Sequence, residues 1–232
     1  MTTSTILITG TNRGIGLELA RRFAAANWRV LACCRQPEHA SDLQALAGQH
    51  SNIEIFQLNV TDYTQVAALS EQLKDTPIDI LLSNAGLYGP KAYGFGDVDP
   101  QAWREVLEVN TVAPLMLAQA FVQQVAASQR KLIAVISSKV GSIADNQGGG
   151  GYIYRSSKTA VNQVVKSLSI DLAPLDISVV SLHPGWVQTE MGGPDALIST
   201  AESVAGLQQV LLQAGPEQSG QFLEYNGKII PW

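Results

Sequence analysis

Cysteines are scarce in this sequence of 232 residues, and the two that occur are neighbours, Cys33 and Cys34. Adjacent thiols cannot cross-link distant parts of a chain, so we expect no disulfide framework and a reducing compartment. The first residues lack the basic start of a secretory signal, and no apolar run approaches the roughly 18 residues of a membrane span. We therefore expect a cytoplasmic protein without a membrane-inserted segment.

Charged residues and histidines are also scarce. Charged residues make up 15% of the chain, against about 25% in an average domain, and the formal net charge is −5. An acidic chain without basic clusters is a poor partner for nucleic-acid phosphates. The three histidines, His39, His50 and His183, show no metal-ligand spacing, and no G-x-S-x-G elbow occurs. We expect neither a metal site nor a hydrolase, and we interpret His183 as structural.

Apolar residues, by contrast, reach 46% and fall into short runs that alternate with longer amphipathic stretches. This alternation is typical of a doubly wound parallel sheet with helices on both faces. We predict a single α/β domain over residues 1–232. The predicted strands lie at 5–9, 29–34, 53–58, 78–83, 131–137, 177–182 and 220–225, and the predicted helices near 15–26, 38–48, 62–74, 101–127, 152–173 and 201–213.

The loops that follow the later strands, at 87–98, 141–151 and 184–200, are longer than those after the early strands. Ligands of open parallel sheets bind outside the carboxyl ends of the strands. We therefore expect one half of the domain to bind a cofactor and the other half a more variable ligand. The segment 192–200 is a candidate lid over bound substrate.

A glycine-rich segment, TGTNRGIG at residues 9–16, lies between the first predicted strand and the first predicted helix. Gly10 permits a tight turn, Gly14 lets the backbone approach a pyrophosphate, and Gly16 lets the helix pack on the strand. Free N–H groups at the helix N-terminus attract phosphates. The same glycines would suit a plain connecting turn, but the strand before them and the helix after them favour dinucleotide binding.

The end of the second predicted strand indicates which dinucleotide is bound. A site for NAD usually has an acidic residue there, to hold the ribose hydroxyls. This chain has Arg35 instead and no acid until Glu38. Arg35, helped by Arg13 of the glycine segment, would bind a 2′-phosphate, although both arginines would also suit a solvated surface. We expect NADP(H) to be preferred over NAD(H).

Tyr154 and Lys158 lie four residues apart in a predicted helix and hence on one face of it. A phenol titrates near pH 10, so proton exchange near pH 7 requires about 4 kcal/mol of phenolate stabilisation. One ammonium group about 4 Å away supplies about 4 kcal/mol at an effective dielectric constant of about 20. We therefore expect Lys158 to lower the pKa of Tyr154. Taken alone, this spacing is more common in surface pairs.

Five segments together resemble the classical short-chain dehydrogenase/reductase family, and in particular its C-factor and sniffer-like carbonyl reductase branch. They follow the family's order and run from residue 5 to the end of the chain. The segments are TGTNRGIG at 9–16, SNAG at 83–86, Asn110 in EVNT, Ser138 with YRSSK at 154–158, and HPGWVQT at 183–189. The branch is indicated by YRSSK, by HPGWV with the following MGG at 191–193, and by the final IPW.

The resemblance implies a Rossmann-type sheet of about seven strands in the order 3-2-1-4-5-6-7. It also implies a homodimer that pairs two long helices, and a small carbonyl or alcohol substrate. Tyr154 would protonate the carbonyl oxygen, Ser138 would hydrogen-bond it, Lys158 would bind the nicotinamide ribose, and Asn110 would hold a water. The residues implied to bind the cofactor are Gly10, Asn12, Arg13, Gly14, Ile15, Gly16, Arg35, Asn59, Val60, Asn84, Ala85, Gly86, Asn110, Tyr154, Lys158, Pro184, Gly185, Val187 and Thr189.

The sequence departs from the family pattern at two places. Tyr154 follows Ser138 by 16 residues, three more than in most members of the family, and we expect the glycines at 148–151 to absorb the difference. Asn59 with Val60 replaces the more usual aspartate at the adenine edge, which an amide can still hydrogen-bond.

Aromatic side chains lie in the loops where the substrate would enter. Tyr88, Tyr93 and Trp186 favour an apolar or aromatic substrate, although loop aromatics equally often serve as packing anchors. Two other functions remain: a non-catalytic dinucleotide sensor or signalling protein that keeps the fold, and a sugar-nucleotide epimerase, which would share the tyrosine and lysine but resemble TGxxGxxG at the glycine segment. The complete tetrad argues against the first, and the chain length leaves little room for the larger substrate region of the second.

Overall fold

The computed structural model describes residues 3–91 and 94–232, and the strands in these ranges form one parallel sheet. The strands are β1 (Thr5–Thr9), β2 (Arg29–Cys34), β3 (Ile53–Gln57), β4 (Ile80–Ser83), β5 (Leu132–Ile136), β6 (Ser178–His183) and β7 (Phe222–Glu224). Their order is β3-β2-β1-β4-β5-β6-β7, which confirms the predicted order. β1 and β2 have the predicted bounds, and each later strand differs from its predicted bounds by one or two residues at one or both ends.

Helices cover both faces of this sheet. They are α1 (Gly14–Ala25), α2 (Ser41–Gln49), α3 (Tyr63–Gln72), α4 (Pro100–Leu107), α5 (Ala113–Ala126), α6 (Tyr152–Asp171) and α7 (Thr200–Gln213). Short 3₁₀ turns occur at Pro37–His39, Lys139–Gly141, Ala173–Leu175 and Pro216–Gln218. The start of the predicted helix 38–48 is one of these turns.

Successive residues of each strand point to opposite faces, so each strand contributes to two cores. On one face, Ile6 and Ile8 pack in a cluster with residues of α1, α2 and α7. On the other face, Leu7 packs in a cluster with residues of α3, α5 and α6. Burial on both faces explains why the strand sequences are almost continuously apolar.

The helix predicted at 101–127 is interrupted by a π-helical turn, Glu108–Val112, between α4 and α5. Pro114 explains the interruption, because it has no N–H to donate to the carbonyl of Asn110, four residues earlier. Just before the proline, the N–H of Ala113 donates to the carbonyl of Glu108, five residues earlier, as in a π-helix. Such π turns often mark functional sites, and this one carries Asn110.

The helical stretch Pro100–Ala126 is 27 residues long and, by length and composition alone, could cross a membrane. This finding corrects the expectation that no run approaches a membrane span, since residues 109–126 contain no charged side chain. Leu117, Phe121 and Val125 of this stretch are, however, buried in the core cluster on the sheet. A core helix of this kind has the composition of a spanning helix without needing a lipid environment.

Candidate active site

One large cleft lies at the carboxyl edge of the sheet, with a volume of about 1640 Å³. Typical small-ligand pockets measure roughly 300–1,000 Å³, so this cleft has room for a dinucleotide and a second ligand. Nearly all the predicted site residues that the structure describes line it. They are Gly10, Asn12, Arg13, Gly14, Ile15, Gly16, Arg35, Asn59, Val60, Asn84, Ala85, Gly86, Tyr88, Ser138, Tyr154, Lys158, Pro184, Gly185, Trp186, Val187 and Thr189.

The glycine segment leaves the cleft wall bare of side chains. Gly10 and Gly14 have φ angles of +71° and +57°, in the left-handed region that glycine adopts at little cost. A Cβ added at Gly10 would lie 2.9 Å from the Cα of Ala85. A Cβ added at Gly16 would overlap the carbonyl oxygen of Gly10. Only glycines therefore fit this wall, and the bare backbone suits a pyrophosphate.

Asn84 fixes the same segment from the neighbouring strand. Its Nδ2 donates to the carbonyl oxygens of Thr9, at 2.8 Å, and of Gly10, at 3.1 Å. The Thr9 hydroxyl oxygen in turn accepts from the backbone N–H groups of Asn84 and Ala85, at 3.1 and 3.0 Å. The family motif at 83–86 thus acts here by holding the glycine turn in shape.

The adenosine side of the cleft is bordered by the ends of β2 and β3. Arg35 is exposed directly after β2, where it is free to contact a phosphate. Arg13 instead forms an ion pair with Glu190 of the loop after β6, with side chains 64% and 74% exposed. Exposed pairs of this kind are weak, so Arg13 remains available to an anionic ligand. The Oδ1 of Asn59 accepts from the Thr61 hydroxyl at 3.1 Å.

Tyr154 and Lys158 lie together on α6, as their spacing predicts. The Lys158 Nζ is 5.6 Å from the centroid of the Tyr154 ring and donates to the carbonyl oxygen of Ile136 at 2.9 Å. Lys158 is only 4% exposed, although it is charged when protonated. A buried ammonium with one backbone acceptor has unused donor capacity facing the cleft.

The pKa values of this pair differ from the expectation. Burial raises the pKa of Tyr154, and the nearby Tyr88 raises it further, whereas a hydrogen bond with the Ser138 hydroxyl lowers it. Burial also lowers the pKa of Lys158 to about 8. In the protein alone, the desolvation of the phenol therefore outweighs the effect of the Ser138 hydrogen bond, and the pKa of Tyr154 is raised where the sequence predicted that Lys158 would lower it.

Ser138 follows β5 with an extended backbone and begins the turn Lys139–Gly141. The longer loop between Ser138 and Tyr154 ends in three consecutive left-handed glycines, Gly149, Gly150 and Gly151, with φ of +62°, +64° and +56°. These glycines return the chain to α6, so that the two hydroxyl groups meet despite the extra residues.

Asn110 is the exception among the predicted tetrad, because it lies behind the cleft wall with 1% exposure. Its Oδ1 accepts from the backbone N–H of Leu87 and its Nδ2 donates to the Leu87 carbonyl, both at 2.8 Å. Nδ2 also donates to the Ser157 hydroxyl at 3.0 Å. The side chain therefore holds the loop after β4 against α6, while Pro114 has no N–H to donate to the Asn110 carbonyl.

The predicted pocket aromatics have different surroundings. The Tyr88 ring stacks on the Tyr154 ring, with centroids 4.6 Å apart. Trp186 is 49% exposed, and its Nε1 donates to the carbonyl oxygen of Gly192 at 2.8 Å. Tyr93 lies outside the described residues. In the candidate lid at 192–200, the carbonyl oxygen of Ile198 accepts a hydrogen bond from the backbone N–H of Gln188 at 2.9 Å. This bond holds the segment against the start of the same loop.

Several residues of the cleft escaped sequence analysis. Glu190 is one, and its only signal is its position after Thr189. His183, interpreted as structural, also lines the cleft, and its buried Nδ1 has no hydrogen-bond partner in the described part of the chain. Leu87 acts through its backbone, so no side-chain pattern could have revealed its role.

Comparison with known proteins gives consistent matches. A profile described as short chain dehydrogenase matches residues 4–196. The C-signal of Myxococcus xanthus is 41% identical over 156 residues, 67% of this chain and 93% of that protein. Carbonyl reductase Sniffer of D. melanogaster is 38% identical, and an NADPH-bound carbonyl reductase from chicken fatty liver 35%, each with a TM-score of 0.93 and 100% of both chains covered. The chain therefore belongs to the short-chain dehydrogenase family.

Proposed function

We propose that this chain is an NADPH-dependent oxidoreductase that interconverts a carbonyl group and an alcohol, with Tyr154 as general acid or base. The observation that carries the proposal is the meeting of Ser138, Tyr154 and Lys158 in one cleft with the glycine segment and Arg35. When bound, the cofactor would supply or accept a hydride, and its oxidised ring would carry a positive charge.

The residues of the chain provide the proton chemistry. The raised pKa of Tyr154 keeps its phenol protonated at neutral pH, so that it donates a proton to the carbonyl oxygen during reduction. The Ser138 hydroxyl, which is hydrogen-bonded to the phenol, also forms a hydrogen bond with the carbonyl oxygen of the substrate. Lys158, with a pKa of about 8, keeps its proton at pH 7 and supports the phenolate left behind. The carbonyl of Asn110, to which Pro114 has no N–H to donate, accepts a hydrogen bond from a water that links Lys158 to solvent.

Two observations support NADP(H) as the cofactor. Arg35 is exposed at the cleft directly after β2, and Glu38, the next acid, lies outside the cleft lining. An arginine there favours a 2′-phosphate through paired hydrogen bonds, whereas an acid would repel it. The chicken-liver relative, moreover, is an NADPH-bound carbonyl reductase.

The outer part of the cleft favours an apolar substrate. Large apolar side chains border it with unusual exposure: 39% for Leu87, 49% for Trp186, 42% for Met191 and 78% for Leu197. Apolar surface of this kind at a cleft mouth is typical of a binding site. We propose small aldehydes, quinones or ketones with an apolar or aromatic body.

The test is turnover of NADPH and NADH with a panel of aldehydes, quinones and ketones. Tyr154→Phe keeps the ring and removes the proton, so we expect turnover to fall by about a hundredfold or more. NADPH binding should stay nearly unchanged. Tyr152→Phe, at an exposed position of the same helix, is the matched control and should keep full activity. Near-normal turnover in Tyr154→Phe would refute the mechanism.

A second candidate function is signalling without catalysis, which the similarity to the C-signal of Myxococcus xanthus favours. A protein of this kind would bind the dinucleotide tightly, as measured by fluorescence, and reduce none of the panel. The hydrogen bond between Ser138 and Tyr154 supports the enzyme reading, since binding alone does not require it.

We also propose a homodimer and a reducing compartment. The outer face of α6 carries the exposed Gln163, Lys166 and Ile170, which suits contact with a second copy. Sedimentation velocity measures the mass directly, and a monomer at micromolar concentration would refute the dimer. Cys33 and Cys34 are both buried free thiols, as a reducing compartment allows.

A further inference from the structure

Tyr88 makes an aromatic contact that the tetrad chemistry does not use. Its ring stacks on the Tyr154 ring, with centroids 4.6 Å apart and planes inclined by 30°. Both side chains line the cleft. Aromatic pairs have preferred geometries, so a ring fixed in this position restricts how its neighbour turns.

The backbone on both sides of Tyr88 is anchored. On one side, the side chain of Asn110 holds the N–H and the carbonyl of Leu87, each at 2.8 Å. On the other side, Gly89 turns with φ of +81°, and a Cβ there would lie 2.9 Å from a methyl group of Val106. The segment that carries Tyr88 is thus held against the π turn and α4. We therefore attribute the contact between Tyr88 and Tyr154 to the fold itself.

We propose that Tyr88 is a positioning residue, whose ring holds the phenol of Tyr154 at the angle needed for proton transfer. This inference rests on the proposed function. Ser138 fixes the phenol oxygen and Tyr88 fixes the ring, so together they restrict two different rotations of one side chain. A misplaced proton donor loses rate steeply, because small displacements remove it from the reacting atom.

The contact has two separable parts, the ring and the hydroxyl. The Tyr88 hydroxyl raises the pKa of Tyr154 electrostatically. Tyr88→Phe keeps the ring and removes the hydroxyl, so it should preserve kcat within about twofold and lower the pKa of Tyr154. Tyr88→Leu removes the ring, so kcat should fall by about three- to tenfold while KM for NADPH stays unchanged.

The experiment compares kcat, KM for NADPH and the pH profile in wild type, Tyr88→Phe, Tyr88→Leu and the matched control Tyr152→Leu. Tyr152 is 38% exposed on the same helix as Tyr154, and its variant should match the wild type. Rescue by phenylalanine but not by leucine supports positioning by the ring. Equal losses in both Tyr88 variants, or no loss in Tyr88→Leu, would overturn the proposal.

A readout without substrate separates this inference from the proposed function. The ultraviolet absorbance of phenolate, taken as the difference between each protein and its Tyr154→Phe counterpart, reports the titration of Tyr154 alone. If the wild type reduces no carbonyl, the proposed function fails, and this titration still decides. Because both variants lack the hydroxyl and only Tyr88→Leu lacks the stacked ring, a larger shift of the Tyr154 pKa in Tyr88→Leu than in Tyr88→Phe supports an effect of the ring; equal shifts, or none in either variant, overturn it.

Discussion

Arg35 is the side chain best placed to distinguish NADPH from NADH, because it is exposed beside the cleft directly after β2. Arg35→Asp removes a hydrogen-bond donor to the 2′-phosphate of NADPH. The new carboxylate repels that phosphate and accepts hydrogen bonds from the ribose hydroxyls of NADH. We expect the ratio of kcat/KM for NADPH to that for NADH to fall by about tenfold to a hundredfold. Arg104→Asp, an exposed change on α4, is the charge-matched control. An unchanged ratio in Arg35→Asp would refute the role given to Arg35.

His183 should make the stability of the protein depend on pH. Burial lowers its pKa to about 4, from about 6.5 in an unfolded chain. Between these two pH values, His183 is protonated in the unfolded chain and neutral in the folded chain. The free energy of unfolding therefore falls as the pH is lowered through this window. The full shift corresponds to about 3 kcal/mol, as an order of magnitude.

Urea unfolding at several pH values from about 7 to about 4 measures this loss. His183→Gln carries no titrating group, so its loss of stability on acidification should be smaller than that of the wild type. His39→Gln, at an exposed position, should leave the loss unchanged. If wild type and His183→Gln lost stability in parallel, the buried imidazole would not be the cause.

At the residue scale, the sequence predicts side chains that act by chemical type and spacing. Tyr154 and Lys158 meet on α6 because four residues make about one helical turn. Glu190 was missed, since its partner Arg13 lies 177 residues away in the sequence. Leu87 was missed for another reason: any residue type would offer Asn110 the same backbone groups.

At the scale of elements, the junction of β1 and α1 depends on the absence of a side chain at Gly16. A Cβ there would overlap the Gly10 carbonyl oxygen and meet its carbonyl carbon at 2.9 Å. Gly16→Ala should therefore push α1 away from the glycine turn. We expect a loss of about 1–3 kcal/mol in the free energy of unfolding, together with weaker NADPH binding.

Gly48→Ala provides the matched control for this substitution. Gly48 lies in α2, and nothing lies within 4 Å of the position that its Cβ would occupy. Alanine is the better helix former by roughly 0.5–1 kcal/mol, so this variant should unfold at the same or a higher denaturant concentration. A Gly16→Ala protein as stable as Gly48→Ala would show that the turn can relax.

Element boundaries were predicted less well than element types. The interruption of the helix at 101–127 had a signal in the sequence, Pro114, because proline in a helix interior removes a hydrogen bond. That the interruption takes the form of a π turn had no signal in the sequence. It depends on tertiary contacts, among them the bond from the Tyr63 hydroxyl to the Glu108 carboxylate, which joins α3 to the π turn.

At the scale of the whole molecule, alternation of apolar runs predicted a doubly wound sheet, and the family resemblance predicted its strand order. The alternation is a local feature that any parallel α/β chain must satisfy, whereas the order was implied only by the resemblance of the five motifs to the family. The electrostatics of the site were not accessible in this way. The direction of the Tyr154 pKa is decided by how much surrounding chain excludes water from the phenol, and that burial emerges only when the whole fold assembles.

The loop between Ser138 and Tyr154 is exposed from Ile143 to Gly150 and ends in left-handed glycines. It is also the one covalent link between β1–β5 and the rest of the sheet. A cut in this loop would yield two polypeptides, one bearing Ser138 and the other Tyr154 and Lys158. Since β5 and β6 pair along five positions, the two pieces have an interface along which they can reassemble. The fold therefore suits a split protein whose activity reports that its two pieces have come together.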